Sequence, residues 1–135
     1  MFTINSIAWP KNAHAAMCLY LECIVKVFGV LNIVFPKGDN DPIKIATDFL
    51  QGEVQQDDLS SAASEWWAII DGSSSIRNFQ NQEILEARLA LCILSVREDK
   101  VDQLGDNLSW FLEVLGFLGK DVDKAIEVME SHFQR

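Results

Sequence analysis

The sequence predicts an all-α fold, a compact bundle of about six helices around one buried central helix. Apolar residues recur at helical spacing through most of the 135 residues, and the chain contains three prolines and seven glycines. One stretch, residues 82–96, has two early acids, Glu83 and Glu86. After these acids it is apolar on every side of a helix except at Arg88 and Ser95. A helix that is apolar all round is buried in protein or spans a membrane, and this one is too short to span. It is therefore the predicted central helix.

The N-terminal residues predict a short arm followed by a long helix. Apolar residues alternate loosely between positions 2 and 7, which favours an extended arm that covers an edge of the core. Trp9 and Pro10 predict a helix entry, so the first helix should extend from about residue 11 to about residue 31. Its apolar stretch is long enough to span a membrane, but Glu22 and Lys26 lie near the middle, where each charge costs about 2.5–3.5 kcal/mol. We therefore expect a core helix, in which these two residues have i,i+4 spacing that suits an ion pair.

Capping residues predict where the next two helices begin. Asp41 is the expected N-cap of the second helix, with Pro42 in the first turn, and Gly52 ends that helix. Asp57 or Asp58 is the expected cap of the third helix. The buried stripe of the third helix is predicted to comprise Leu59, Ala63, Trp66 and Ile70.

The second half of the chain is predicted to contain the central helix and two more. Gly72 and the serines at 73–75 predict a loop, and Asn78 or Asn81 is the expected cap of the central helix. A polar turn then leads to the fifth helix, and Asp121 caps the sixth. The inner stripe of the fifth helix comprises Val101, Leu104, Leu108, Phe111, Leu112, Leu115 and Leu118. That of the sixth comprises Val122, Ala125, Ile126, Met129 and Phe133.

Charge and cysteine content limit the classes of partner and compartment. The formal net charge is −9 and the pI is near 4.5. A surface this acidic repels nucleic-acid phosphate and anionic lipid, whereas it attracts a basic protein. We therefore predict that the protein binds neither nucleic acid nor a membrane. Its length predicts one domain, residues 1–135. Cys18, Cys23 and Cys92 lie in apolar helical runs, which favours buried free thiols in a reducing cytoplasm.

The sequence contains no recognisable motif for catalysis, cofactor binding or metal binding. GxSxG, Walker-type, GxGxxG, HExxH and CxxC patterns are all absent. His14 and Cys18 share a helix face, and Cys92 or His132 could close a zinc ligand set with them. Cys23 lies about 140° from Cys18 round the same helix and does not join this set easily, so buried structural cysteines are the favoured interpretation. We therefore expect no metal, no cofactor and no enzymatic activity.

Two isolated charges in apolar helices, Glu22 and Arg88, offer an alternative hypothesis. A buried carboxylate can act as a general acid, so an enzyme or a small-ligand binder could use both residues in a pocket between helices. The simpler interpretation is that Glu22 pairs with Lys26 or Arg88, or reaches the solvent, because an unpaired buried charge is too costly to keep.

The side of the fifth helix opposite its inner stripe carries an unusual apolar set. Trp110, Val114 and Phe117 are predicted to lie on this outer face, with Asp106 and Glu113 beside them. Aromatic residues rimmed by acids are typical of a protein-binding hot spot, although the N-terminal arm could instead cover this face. Trp67 lies off the stripe of the third helix and is a further candidate. The candidate partner-binding residues are therefore Trp110, Val114, Phe117, Glu113, Asp106 and Trp67.

These features favour a small, acidic, non-enzymatic protein-binding module. The most specific hypothesis is a bacterial immunity protein or antitoxin-like inhibitor that neutralises a basic toxin or effector domain by covering its active surface. A structural or regulatory helical module that forms a homodimer through the Trp110 and Phe117 face is the second hypothesis. The Glu22 and Arg88 pocket is the third.

Overall fold

Six α-helices and two short 3₁₀ helices make up the part of the chain that the structure, a computed structural model, describes, which is residues 3–33, 35, 41–71 and 82–133. The α-helices are α1 (Ala13–Val30), α2 (Pro42–Leu50), α3 (Gln56–Asp71), α4 (Gln82–Leu94), α5 (Leu104–Phe117) and α6 (Val122–Phe133). The 3₁₀ helices are Ile4–Ser6 and Glu98–Gln103. No strand occurs in these residues, and the prediction of an all-α bundle is confirmed.

Capping residues set two of the helix starts as their side chains predict. The Asp41 carboxylate accepts a hydrogen bond from the main-chain N–H of Ile43 at 2.9 Å, and Pro42 occupies the first turn of α2. Asp121 accepts from the N–H of Lys124 at 3.0 Å at the start of α6. Both predicted caps are confirmed, and each satisfies a main-chain donor that the first helical turn leaves without an intrahelical partner.

Two helix starts differ from the sequence prediction. Asp58 lies inside the first turn of α3, where its carboxylate accepts from the N–H of Gln55 at 2.8 Å. It therefore acts as the third residue of a capping box rather than as the N-cap. The fifth helix begins at Leu104 because the chain before it forms the 3₁₀ helix Glu98–Gln103, with a non-helical backbone at Lys100. The predicted loop after Gly72 and the predicted caps at residues 78 and 81 lie outside the described residues.

The helix α4 is buried on all sides, as predicted, although it ends at Leu94 rather than at residue 96. It packs against α2, α3 and α5. Its buried side chains, each no more than 2% exposed, are Ile84, Leu85, Ala87, Leu89, Ala90, Leu91, Cys92, Ile93 and Leu94. Near its C-terminal end the hydroxyl of Tyr20 in α1 donates a 2.6 Å hydrogen bond to the main-chain carbonyl of Cys92.

The long helix α1 is the second element of the core. It packs against α2, α6 and the 3₁₀ helix Glu98–Gln103. It meets the length and hydropathy criteria for a membrane-crossing helix, but its apolar side chains form the core with those of α4 and α5. Near its end the ring of Phe28 contacts those of Phe35 and Phe111, with centroids 5.6 and 5.5 Å apart. These edge-to-face contacts connect the end of α1 to α5.

We predict that Leu91→Ala lowers the free energy of unfolding by about 2–5 kcal/mol, because Leu91 is fully buried in α4 and truncation leaves a cavity. Urea denaturation measures the loss. Leu112→Ala on α5, where Leu112 is only partly buried, is the matched control and should cost less. A loss below about 1 kcal/mol at Leu91 would show that α4 does not form the tightly packed centre.

We also predict that the fold loses stability at alkaline pH. Burial raises the pKa of Cys23 to about 12 and raises that of Cys92, whereas an ordinary thiol titrates near 9. The unfolded chain therefore releases these protons first, so stability that is present below about pH 9 falls as the pH rises towards the folded pKa.

Each such thiol contributes a slope of up to about 1.4 kcal/mol per pH unit. Denaturation of the wild type and of Cys23→Ala, measured from neutral to alkaline pH, gives this slope. The variant should show a shallower alkaline decline. Equal slopes for the two proteins would contradict the assignment of a buried, neutral thiol at Cys23.

Candidate functional site

The outer face predicted for the fifth helix is only partly at the surface. Trp110 is half-buried, and the guanidinium of Arg88 in α4 lies 5.8 Å from its ring centroid, within range of a cation–π contact. Val114 is 1% exposed, so its predicted position on the outer face is wrong. The reason is that α5 packs against both α4 and α6. These two neighbours cover more of the circumference of α5 than the single inner stripe that the sequence predicted.

The N-terminal arm covers one end of α5, as the sequence suggested. The 3₁₀ helix Ile4–Ser6 packs against α5, and a side chain at Gly105 would lie 3.5 Å from the Ile4 side chain. This contact is at the first turn of α5. The other end of the helix carries the most exposed large apolar residue, Phe117, at 55%.

Two aromatic residues in the described part of the chain remain substantially exposed. Phe117 is the last residue of α5, and Trp67 on α3 is 44% exposed, whereas its neighbour Trp66 is 4% exposed and belongs to the core. Asp106 and Glu113 are also exposed on α5. The predicted position of Trp67 off the buried stripe is therefore confirmed. Of the six candidate residues, the structure removes Val114 from the surface and leaves Trp110 half-covered.

An open depression lies beside α4, where the segments that follow α1 and α5 meet it. It has a volume of about 370 Å³, and Phe35, Glu86, Leu118 and Lys120 are among the residues that line it. The ring of Phe35 contacts that of Trp66, with centroids 5.6 Å apart, and Leu118 directly follows Phe117. Leu118, the residue after Phe117, thus lines the depression, and Phe35 links its lining to the buried Trp66 of α3. We use the name aromatic surface for Trp67, Phe117 and this depression taken together as the candidate binding features.

The charges at Glu22 and Arg88 do not form a shared site. Glu22 is exposed on α1 and reaches the solvent, which was the alternative to pairing with Lys26 or Arg88. It makes no ion pair within 4.0 Å in the described part of the chain. Arg88 extends from α4 over Trp110. Lys26, the expected i,i+4 partner of Glu22, instead donates a hydrogen bond to His132.

A Cys–His–Glu chain occurs at the start of α1 and resembles the geometry of a nucleophile, a base and an orienting acid. The Cys18 sulfur lies 3.5 Å from Nε2 of His14, whose Nδ1 lies 3.1 Å from Oε1 of Glu98. However, partial burial raises the pKa of Cys18, and the nearby Glu22 and Glu98 raise it further. The pKa of this thiol is thus shifted in the direction opposite to that of a cysteine activated as a thiolate.

The same residues do not form a metal centre. No group of three histidine, cysteine, aspartate or glutamate side chains within residues 3–33, 41–71 and 82–133 has a geometry that could hold a metal ion. The Cys18–His14–Glu98 contacts instead hold the 3₁₀ helix Glu98–Gln103 against the first turns of α1. All three cysteines are free thiols.

Comparison of this chain with protein-family models, curated proteins and solved structures finds no match.

We predict that polar substitution separates the roles of the two aromatics on α5. Phe117→Gln should leave the melting temperature nearly unchanged, because the ring is already more than half exposed. Trp110→Gln should lower the free energy of unfolding by about 1–3 kcal/mol, because it removes a half-buried ring and its contact with Arg88. Thermal and urea denaturation of both variants provide the comparison. A large loss of stability in Phe117→Gln would place this ring in the core.

Proposed function

We propose that this protein is a small acidic helical module that binds a basic protein, as an immunity protein or antitoxin-like inhibitor of a cationic toxin or effector domain. The observation that carries the proposal is the aromatic surface, on which Phe117 and Trp67 remain 55% and 44% exposed in a protein of net charge −9. The partner buries these rings, and inhibition follows from covering its active surface.

The aromatic surface has the features of a binding hot spot. Large aromatic side chains bury much area at a low cost in conformational entropy, and tryptophan is enriched among residues that dominate binding energy. A neighbouring depression of about 370 Å³ can receive a side chain of the partner. Phe117 and Trp67 are displayed by two different helices that both pack on α4, so the rigid core fixes their positions.

Surface charge selects the partner. Asp106 and Glu113 are exposed on α5, the helix that ends with Phe117, and the whole chain carries an excess of nine negative charges. Such a field accelerates the encounter with a basic surface and repels acidic competitors. The aromatic rings then determine how slowly the complex dissociates.

The test uses the product of the adjacent gene as the partner, with rates measured by surface plasmon resonance. Phe117→Ala and Trp67→Ala should each accelerate dissociation, with a loss of about 2–4 kcal/mol in binding free energy as at other hot spots. Asp106→Asn with Glu113→Gln should mainly slow association and reduce its salt dependence. Val30→Ala, which truncates an exposed apolar residue on α1, is the matched control and should change neither rate.

Two outcomes would contradict the proposal. The first is binding that is unaffected by Phe117→Ala and Trp67→Ala in folded protein. The second is a homodimer in light scattering that Phe117→Gln converts to monomer, since this would assign the aromatic surface to self-association.

A further inference from the structure

A second depression lies between α1 and α6, and its lining residues differ from those of the aromatic surface. Its volume is about 440 Å³, and it is lined by Lys26, Val30, Lys124, Glu127, Val128, Ser131 and His132. The two helices are antiparallel here, because Trp9 before α1 contacts Phe133 at the end of α6 while Val30 and Lys124 share the depression. We call it the α1–α6 groove.

His132 forms the floor of the groove and was not predicted as a core residue. It is 3% exposed, and its Nε2 lies 3.0 Å from the main-chain carbonyl of Leu19. Because a carbonyl only accepts, Nε2 carries the proton and donates. Nδ1 is then the acceptor for the Lys26 ammonium at 2.9 Å. Both ring nitrogens therefore have a hydrogen-bond partner.

The contact with His132 holds the Lys26 charge in place without neutralising it. No carboxylate oxygen lies within 4.0 Å of Lys26 Nζ in the described part of the chain. An ammonium has three donors, so two remain after the bond to His132. At the other side of the groove, Lys124 and Glu127 form an ion pair at 3.6 Å. Among the described residues that line the groove, Lys26 is therefore the lysine without a carboxylate partner, in a protein of net charge −9.

We propose that the α1–α6 groove binds the carboxylate of a small organic acid, a ligand site that is independent of the proposed protein interface. The single Lys26 charge matches a single negative charge, whereas a phosphate dianion would leave one charge unmatched beside Glu127. Lys26 provides the charge-assisted donors, and the Ser131 hydroxyl is available beside it. Val30 and Val128 form apolar walls for a short hydrocarbon tail.

The first experiment is a titration of the ¹⁵N-labelled protein with hexanoate, followed by amide chemical shifts. The expected result is saturable binding with shifts concentrated at residues 26, 30, 128 and 131. Hexanamide has the same tail without the charge and should bind at least about tenfold more weakly, since one charge-assisted hydrogen bond is lost. Inorganic phosphate should also bind more weakly than hexanoate. Equal binding of hexanoate and hexanamide, or scattered shifts without saturation, would overturn the proposal.

The second experiment uses variants of the lysine. Lys26→Met should weaken hexanoate binding at least about tenfold, and Lys26→Arg should retain most of it because the charge and donors remain. Lys44→Met is the matched control, since Lys44 is paired with Asp48 at 3.0 Å on α2 and should not affect binding. If Lys26→Met does not fold, Lys26→Gln replaces it. Wild-type affinity in the folded Lys26 variant would exclude the α1–α6 groove as the site.

Discussion

The burial of α4 on every side is the constraint on which the rest of the structure depends. A buried helix end leaves main-chain carbonyls without intrahelical partners, and each unsatisfied one costs about 1–3 kcal/mol. The hydroxyl of Tyr20 satisfies the carbonyl of Cys92 with a 2.6 Å hydrogen bond from a fully buried position in α1. This bond fixes α1 relative to the C-terminal end of α4, and α2 packs against both helices. The burial that neutralises the thiols of Cys23 and Cys92 has the same origin.

The helices around α4 bury one side and present the other to solvent, which leaves two different surfaces on the outside of the core. The aromatic surface is displayed by α3 and α5, which pack directly on α4. The α1–α6 groove depends on the ring of His132, which bridges Leu19 and Lys26. We propose a basic protein for the first surface and a small carboxylate for the second, because the local charge differs between them.

Local sequence patterns predicted the elements well, since capping and periodicity act over a few residues. Asp41, Asp121 and the all-round apolar stretch of α4 were recognisable for this reason. Features that depend on distant neighbours were not predictable. Val114 is buried because α6 also covers α5, and Lys26 bonds to His132, which is 106 residues away, rather than to Glu22 one turn away. A polar residue at the edge of a predicted stripe, such as His132, is the only signal in the sequence that pointed towards the α1–α6 groove.

Amide hydrogen exchange tests most directly whether the core around α4 is complete without the exposed aromatics. The measurement compares the wild type with a Trp67→Gln, Phe117→Gln double variant. The amides of residues 89–94 should exchange only through global unfolding, with the slowest rates in the protein and equal protection in both forms. Faster exchange of these α4 amides in the variant would show that Trp67 and Phe117 stabilise the core, and that they are not available to a partner.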